Sequence, residues 1–272
     1  MIMSAEFRPR KRLSQNFLTD PNIARKIVGC MNIQSGDCIV EIGAGTGALT
    51  GYLLQSPAKE IIAVELDARL IARLRSQFHD RSQLTLVHQD FLKFDFGPLI
   101  IRGQKLRLIG NLPYGITSPV LFHILDHREY IQDMVVMMQK EVGQRLSASP
   151  CTKAYGIPSV LFQAVSTIGN LFTVPPNAFR PVPGVESIVL HIKFTRQIRT
   201  NAPDWNLFVK IVRTAFNQRR KMLRNTLGKW ISKNERVPID LKRRPEQLTV
   251  EEWKQLSNAI SEISAKSPDP FD

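Results

Sequence analysis

Short runs of apolar residues alternate, over the first two-thirds of the chain, with segments whose apolar residues recur at helical spacing. The runs are too short for helices, which favours buried strands. They predict strands over residues 38–41, 61–64, 84–87, 106–109 and 134–138. Apolar strands separated by helices predict a parallel, doubly wound α/β sheet.

Capping residues mark several helix boundaries in the same region. Asp20-Pro21 fits an N-cap followed by the first helical position and predicts a helix through residue 31. Ser118-Pro119 is a second such pair and predicts a helix through residue 127. The remaining predicted elements are helices that end near residues 55 and 78 and a strand over 187–194.

The pattern changes after residue 195. Residues 196–203 are polar and lack periodicity, which is typical of a linker. Beyond them Asp204 can cap a helix that extends to about residue 230, and Thr249 with Glu252 fits a capping box before the last helix. We therefore expect an α/β domain over 1–195 and a small, all-helical domain over 204–272.

The composition narrows the class of protein. The 272 residues are 43% hydrophobic and 22% charged, which excludes wholesale disorder and a coiled coil. No run of about 18 uncharged apolar residues is present, and residues 1–12 hold no apolar run suited to a secretory signal. Cys30, Cys38 and Cys151 are scattered, which favours a reducing compartment. We therefore expect a cytoplasmic protein with no membrane partner.

Positive charge is concentrated at two places in the sequence. The chain carries 37 Lys and Arg against 24 Asp and Glu, a formal net charge of +13. Residues 1–12 contribute +3 and residues 191–250 contribute +11. Two basic extremities on a neutral body favour nucleic acid as the partner, with a merely solvated basic helix as the alternative. Arg219, Arg220 and Lys221 form the cluster that we expect to contact phosphates.

A glycine-rich turn follows the first predicted strand. Gly43, Gly45 and Gly47 lie where strand passes into helix, at the ligand crevice of a doubly wound sheet, and glycine lets the backbone approach a ligand closely. The pattern fits both a dinucleotide and S-adenosylmethionine. Both ligands contain a ribose, and Glu65 at the end of the next strand is placed to accept hydrogen bonds from its hydroxyls. Asp67 is better suited to capping the following helix.

Two more polar positions close predicted strands. Asp90 is placed to accept a hydrogen bond from an adenine exocyclic amine, and Asn111-Leu112-Pro113-Tyr114 follows the fourth strand. The Asn side-chain carbonyl and a backbone carbonyl held by proline can both accept from one amino group, while the tyrosine can stack on a base. Accepting both protons of adenine N6 favours a pyramidal nitrogen whose lone pair points at a methyl sulfonium. Positioning and charge stabilisation then carry the reaction.

Taken together, segments spread over residues 8–260 resemble the ribosomal RNA adenine dimethyltransferase family. They are Gln15-Asn16-Phe17-Leu18, Glu41-Ile42-Gly43-Ala44-Gly45-Thr46-Gly47, Glu65, Gln89-Asp90, Gly110-Asn111-Leu112-Pro113-Tyr114, Gln139-Lys140-Glu141-Val142, Val174-Pro175-Pro176-Asn177-Ala178-Phe179 and Phe216-Asn217-Gln218-Arg219-Arg220-Lys221. The resemblance implies a Rossmann-like class I methyltransferase sheet. It also implies N6,N6-dimethylation of adenosine, with S-adenosylmethionine as the methyl donor.

By position, the resemblance also implies roles for single residues. Asn111, Leu112 and Tyr114 would present the target amine, and Phe179 would stack on the opposite face of the base, although an aromatic residue before a strand is more often core. The methyl-donor site would be lined by Asn16, Leu18, Gly43, Gly45, Glu65, Asp90 and Asn111.

Within the family, the chain resembles the enzyme that dimethylates two adjacent adenosines of small-subunit (16S) rRNA late in subunit assembly. Relatives that confer antibiotic resistance by acting on large-subunit rRNA usually carry Ile at the position of Leu112. The sequence departs from the family pattern at Gly115, where Asn is usual, and at Gly184, where Lys is usual. The resemblance implies rRNA in a pre-assembled small subunit as the partner, and we expect a monomer.

Other functions fit the sequence less well. An N6-adenine DNA methyltransferase would carry Asn-Pro-Pro-Tyr or Asp-Pro-Pro-Tyr in place of residues 111–114. A non-catalytic binding role in ribosome maturation or transcription does not require the glycine turn, Glu65 and Asn111. His123 and His127 share one face of a predicted helix, but no Glu or Cys nearby completes a metal site, so we expect no metal.

Overall fold

The structure, a computed structural model, describes residues 15–100, 105–195, 204–231 and 235–266. These residues divide into two compact units. The first comprises the described residues up to Gly143 together with Ile168–Phe194, and the second comprises Gln144–Thr167 together with the described residues from Thr195 onward. The basic arm 1–12 and the predicted linker 196–203 lie outside the described residues.

Every strand predicted from the apolar runs is present. The strands are β1 (Phe17–Leu18), β2 (Cys38–Ile42), β3 (Glu60–Glu65), β4 (Leu84–His88), β5 (Leu106–Asn111), β6 (Ile131–Gln139), β7 (Ser166–Val174), β8 (Phe179–Arg180) and β9 (Ser187–Phe194). The helices are α1 (Pro21–Gly29), α2 (Thr50–Leu53), α3 (Ala68–Gln77), α4 (Gly97–Ile100), α5 (Thr117–Asp126), α6 (Lys140–Leu146), α7 (Ile157–Val165), α8 (Trp205–Phe216), α9 (Leu223–Thr226) and α10 (Val250–Lys266).

Seven strands form one sheet in the order β4-β3-β2-β5-β6-β9-β7. β2 pairs in parallel with both β3 and β5, so the strand order reverses there, and such a switch point is where a doubly wound sheet binds ligands. The doubly wound parallel arrangement is confirmed for β2 to β6, and β9 departs from it by pairing antiparallel with β6, so the sheet is mixed. The weak alternation of β9, whose last residues are less buried, fits an antiparallel strand.

The parallel strands are buried almost throughout. All of β2 and all of β3 after Glu60 are buried, which is why these strands read as continuous apolar runs. Two carboxylic acids, Glu41 and Glu65, lie within this buried part of the sheet. Burying a carboxylate is costly unless it is hydrogen-bonded, so these two positions mark a specialised region of the sheet.

Two helix starts in the first unit are predicted from capping residues, at Asp20 and at Ser118. The cap at Asp20 is confirmed, since its Oδ1 accepts hydrogen bonds from two backbone N–H groups of the first turn of α1, at 2.8 and 3.2 Å. The cap at Ser118 is wrong, because α5 already begins at Thr117. The Thr117 hydroxyl donates to the Pro113 carbonyl at 3.0 Å, so the helix grows directly out of the turn after β5.

The second unit is helical, with α7, α8 and α10 packed on one another. Tyr155, Phe216 and Trp253 form its aromatic centre, with ring centroids about 6 Å apart. The capping box is confirmed: the Thr249 hydroxyl accepts from the Glu252 N–H, and the Glu252 carboxylate accepts from the Thr249 N–H.

Two predictions about this unit need correction. A continuous helix from 204 to 230 is wrong, because α8 ends at Phe216 and the backbone N–H groups of Leu223 and Arg224 bond to carbonyls of residues 243 and 241 instead. The unit also includes residues 144–167, which were predicted to belong to the α/β domain, because α7 packs against α8 and α10. None of the helices within the described ranges is long and apolar enough to cross a membrane.

Candidate active site

A cavity of about 260 Å³ lies in the first unit at the carboxyl ends of the parallel strands. Its walls come from the turns that follow β2, β3, β4 and β5 and from the segment around β1. Among the residues that line it are the predicted positions Asn16, Leu18, Gly43, Gly45, Glu65, Asp90, Asn111, Leu112 and Tyr114. The fold thus brings together side chains that are far apart in sequence.

The glycine turn after β2 has the backbone that only glycine adopts readily. Gly43, Gly45 and Gly47 have φ angles of +69°, +58° and +86°. A Cβ at Gly47 would lie 2.9 Å from the ring of Phe78, so this position also needs glycine for packing. The turn therefore presents bare backbone to the cavity.

Glu65 ties the glycine turn to the end of β3. Its Oε2 accepts a hydrogen bond from the Gly45 N–H at 2.8 Å, and its Oε1 accepts from the Asp67 N–H at 2.8 Å. Burial raises the pKa of Glu65, although these backbone hydrogen bonds oppose the shift. The Leu66 N–H adds a further backbone hydrogen bond that opposes the shift. A carboxylate has about four lone-pair sites, so Glu65 keeps capacity for a donor in the cavity.

Asp67 and Asp90, the other two acids predicted near the site, make different hydrogen bonds. Asp67 caps α3 through the Arg69 N–H and pairs with the Arg69 guanidinium at 2.6 Å, and these contacts lower the pKa of Asp67. The prediction of a cap at Asp67 is therefore confirmed. Asp90 lines the cavity and its Oδ1 accepts from the Leu92 N–H at 3.0 Å.

Asn111 carries a buried acceptor that has no donor. Its Nδ2 donates to the Asn16 carbonyl at 2.9 Å, which fixes the orientation of the side-chain amide. Its Oδ1 is buried and accepts no hydrogen bond from any described residue. Such an orphaned acceptor costs about 1–3 kcal/mol, which a donor on a ligand would recover.

The rest of the Asn-Leu-Pro-Tyr turn is held tightly. Leu112 is buried, and its N–H donates to the Met137 carbonyl at 2.9 Å. The Tyr114 hydroxyl is hydrogen-bonded to the Ser187 hydroxyl at 2.7 Å. Burial raises the pKa of Tyr114, so this phenol is neutral near pH 7.

Several residues that line the cavity have no individual role predicted from the sequence, and Glu41 and Leu66 are two of them. Glu41 is buried, which raises its pKa to about 8, although a hydrogen bond donated by the Thr50 hydroxyl at 2.6 Å opposes the shift. Leu66, next to Glu65, is an apolar side chain that is 45% exposed at the cavity. An acid inside a buried strand was a visible signal for Glu41, whereas nothing in the pattern marked Leu66.

Other predicted site residues lie elsewhere. Phe179 is fully buried in the core of the first unit and is not among the residues that line the cavity, although β8 pairs with β1 and places Phe179 opposite Leu18, which does line it. His123 and His127, for which no metal is expected, have ring centroids 5.7 and 5.0 Å from that of Phe96, with the planes tilted by 35°. In the described part of the chain, no three His, Cys, Asp or Glu side chains form a group suited to a metal ion.

The predicted phosphate-binding cluster lies in the second unit, and its members differ. The Arg219 guanidinium donates to the carbonyls of Thr152 and Lys153, both at 2.9 Å, and lies 3.7 Å from the Glu246 carboxylate. Arg220 and Lys221 are exposed. The Arg219 guanidinium therefore bonds within its own unit and stabilises that unit.

The sheet order with its antiparallel β9, the glycine turn after β2 and the carboxylate at the end of β3 match the Rossmann-like fold of class I methyltransferases, the class that uses S-adenosylmethionine. The chain matches the family model described as "Ribosomal RNA adenine dimethylase" over residues 6–262, and it belongs to that family. The family predicted by resemblance is therefore confirmed.

Similar proteins cover nearly the whole chain. Ribosomal RNA small subunit methyltransferase A of Aromatoleum aromaticum is 44% identical over 267 residues, 97% of each chain. The protein of the same name in Pseudomonas aeruginosa is 41% identical over 260 residues, 95% of this chain and 97% of that one.

Two crystal structures share the fold. A dimethyladenosine transferase from Plasmodium falciparum has a TM-score of 0.76 at 22% identity, covering 91% of this chain and 98% of that chain. The 23S rRNA methyltransferase ErmE has a TM-score of 0.70 at 21% identity, covering 90% of this chain and 100% of that chain.

Proposed function

We propose that this methyltransferase dimethylates N6 of two adjacent adenosines in small-subunit rRNA, and that its substrate is a pre-assembled small subunit. The observation that carries the proposal is the buried, unpaired Oδ1 of Asn111, at the end of β5 in the cavity. Its position beside Tyr114 suits an amine that must donate its protons while its ring is stacked. The 44% identical relative, whose name specifies the small subunit, supports this choice of substrate.

The cavity fits S-adenosylmethionine as the methyl donor. The bare backbone of Gly43 and Gly45 leaves room for close approach, and the remaining acceptor capacity of Glu65 suits a ribose hydroxyl. Asp90 suits the adenine amine, and the exposed side of Leu66 suits the apolar face of that base. When bound, this group supplies a methyl attached to a positively charged sulfur. No metal is part of the proposal.

The acceptor end of the site orients the target amine. Asn111 Oδ1 accepts one N6 proton, and we assign the second to the carbonyl of Leu112. The next carbonyl, that of Pro113, already accepts from the Ile116 N–H at 3.1 Å and the Thr117 hydroxyl at 3.0 Å. Two acceptors draw the nitrogen lone pair out of the ring and stabilise the positive charge that develops on it. The methylated nitrogen would then release one N6 proton to water, which restores a neutral amine.

Tyr114 serves this reaction by stacking and does not abstract a proton. Its pKa is raised by burial, and its hydroxyl is hydrogen-bonded to Ser187. Phe179 keeps its proposed role on the opposite face of the base. Because its side chain is fully buried in the first unit, that role requires Phe179 to become accessible when the base is bound.

The second unit supplies RNA affinity in this proposal. Its exposed cations include Arg220, Lys221 and Arg224, which are free to neutralise phosphates, whereas Arg219 holds the unit together. The proposal also makes the protein a cytoplasmic monomer.

The test uses S-adenosylmethionine with a labelled methyl group. Small-subunit rRNA, intact small subunits, large-subunit rRNA and DNA are offered separately, and nuclease digests are searched for N6,N6-dimethyladenosine. We expect label in small subunits, with Asn111→Ala protein as the matched inactive control. Label in DNA or in large-subunit rRNA alone would contradict the proposed substrate.

A further inference from the structure

Tyr114 and Ser187 are 73 residues apart in sequence, yet their hydroxyl oxygens share a hydrogen bond of 2.7 Å. Tyr114 is half-buried and lines the cavity, whereas Ser187 is fully buried and is not among the lining residues. The tyrosine ring is therefore the side chain through which Ser187 reaches the cavity.

Ser187 is held firmly by the sheet. It is the first residue of β9 and lies opposite Gln139, the last residue of β6. Just before it, the Glu186 carbonyl accepts from the Lys140 N–H at 3.0 Å, and the Glu186 carboxylate accepts from Lys140 Nζ at 2.7 Å. The Ser187 hydroxyl is thus a fixed point at the carboxyl end of the sheet.

The other end of Tyr114 is fixed as well. Its backbone follows Pro113, which has a φ angle of −59°, and begins a single 3₁₀ turn through Ile116. The ring therefore spans from a rigid turn after β5, across the end of β6, to a rigid hydroxyl on β9. A ring tied at both ends loses little conformational entropy when a base stacks on it.

We propose that Ser187 is a positioning residue for methyl transfer, which holds the ring of Tyr114 where the target adenine must stack. The inference rests on the proposed function of residues 111–114 as the acceptor end of the site. Ser187 touches neither base nor methyl donor. It acts by keeping the stacked base within reach of Asn111 Oδ1, and misplacement of a reacting group lowers the rate of the chemical step.

A double-mutant cycle tests this role. Ser187→Ala and Tyr114→Phe each remove the same hydrogen bond, and each should lower the single-turnover methyl-transfer rate at saturating S-adenosylmethionine by about 3- to 10-fold. The double variant should be no slower than the slower single variant, because one interaction cannot be lost twice. Tyr114→Ala, which removes the ring itself, should be at least about tenfold slower than Tyr114→Phe.

A matched control separates positioning from stability. The Ser166 hydroxyl is also buried and donates to the Phe162 carbonyl at 2.7 Å, away from the cavity lining. Ser166→Ala should lower the melting temperature as much as Ser187→Ala does, yet keep the wild-type rate. S-adenosylmethionine affinity, measured by calorimetry, should be unchanged in Ser187→Ala.

The outcomes distinguish this inference from the proposed function. If wild-type protein transfers no label to rRNA, the proposed function fails. If wild-type protein is active and Ser187→Ala keeps its full rate, or the two single effects multiply in the double variant, the positioning role is wrong. Should Ser187→Ala not fold, Tyr114→Phe alone decides, because it removes the bond from the half-buried side; a full rate there also overturns the inference.

Discussion

Strand β5 carries a buried polar side chain near each of its ends. One of them has every hydrogen-bonding group paired, and the other keeps an unpaired acceptor. At the amino end, Arg107 uses all five guanidinium N–H groups: two to Asp133, one to Asp37 and two to backbone carbonyls. At the carboxyl end, Asn111 keeps a buried amide oxygen with no described donor. His191 adds a further hydrogen bond to Asp133 at 2.7 Å.

The difference separates stability from function within one sheet. Breaking a fully paired buried charge is costly, because the partner charge that remains is left buried and unpaired. An unpaired acceptor has the reverse effect, since it costs stability in the free protein and gains its partner when a ligand binds. We therefore expect changes at the amino edge to alter unfolding and changes at the carboxyl edge to alter methyl transfer.

The largest effect is expected at the amino edge. Arg107→Met should lower the free energy of unfolding by about 3–5 kcal/mol, because it strands the Asp133 and Asp37 carboxylates. Lys140→Met, which breaks an exposed 2.7 Å pair with Glu186, is the control and should cost less than about 1 kcal/mol. Denaturant titration measures both. Equal costs for the two variants would show that the Arg107 cluster stabilises no more than a surface pair.

The carboxyl edge should give the opposite result. Asn111→Ala should lower the methyl-transfer rate by about 10²- to 10³-fold, because its amide oxygen contributes mainly to the transition state. Stability should change little, because relief of the orphaned acceptor offsets loss of the hydrogen bond to the Asn16 carbonyl. Single-turnover kinetics and thermal melts on the same preparation measure the two quantities. A fully active Asn111→Ala would exclude this residue from the chemistry.

Glu65 should affect both structure and ligand binding, because it accepts a hydrogen bond from the glycine turn and also faces the cavity. Glu65→Ala should weaken S-adenosylmethionine binding by about 1–3 kcal/mol, since it removes charge-assisted hydrogen bonds and releases the Gly45 N–H. Glu65→Gln, which keeps one acceptor oxygen, should lose less. Calorimetry on folded protein is the measurement, and unchanged affinity in Glu65→Ala would remove Glu65 from the donor site.

Two buried acids, Glu41 and Asp133, should make the free energy of unfolding depend on pH in opposite directions. Burial raises the pKa of Glu41 to about 8 from 4.5, so its stabilising effect is complete below pH 4.5 and is lost as pH rises towards 8. Burial also acts to raise the pKa of Asp133, but the Arg107 and His191 hydrogen bonds outweigh it and lower that pKa. The contribution of Asp133 is therefore lost only as pH falls through its lowered value.

Glu41→Gln isolates the first of these effects. The unfolding free energy of wild-type protein should fall between pH 4.5 and 8 by at most about 1.4 kcal/mol per pH unit from this group, and Glu41→Gln should flatten that slope. Unfolding titrations at several pH values measure it. An identical pH profile for the two proteins would mean that Glu41 is ionised in the folded state.

The smallest expected effect concerns the basic cluster of the second unit, where Arg219 is hydrogen-bonded and Arg220 and Lys221 are exposed. Arg220→Ala with Lys221→Ala should reduce the slope of RNA affinity against salt by up to about 2, because each exposed cation releases one counterion. Arg219→Ala should leave the slope unchanged and lower stability instead, since Arg219 is bonded to Thr152 and Lys153. A slope that falls only in Arg219→Ala would reverse this assignment.

The sequence by itself determined six of the seven strands of the sheet, all but β7, together with the place of the ligand site and, through the resemblance, the family. These rest on local signals: the apolar runs of β2 and β3, the spacing of the glycines and the polar residues that end strands. It also placed Asp67 as a cap and the capping box at Thr249, because both depend on neighbours within three residues.

The tertiary structure alone decided which groups are paired. Asn111 obtains its orientation from a carbonyl 95 residues away, and Tyr114 its hydroxyl partner from a strand 73 residues away. The burial of Phe179 and the hydrogen bond of Arg219 to the Lys153 carbonyl likewise depend on contacts with distant segments. A local pattern contains the type and spacing of side chains, but whether a buried polar atom is satisfied depends on the packing of the whole unit, and that pairing distinguishes a stabilising residue from a reactive one.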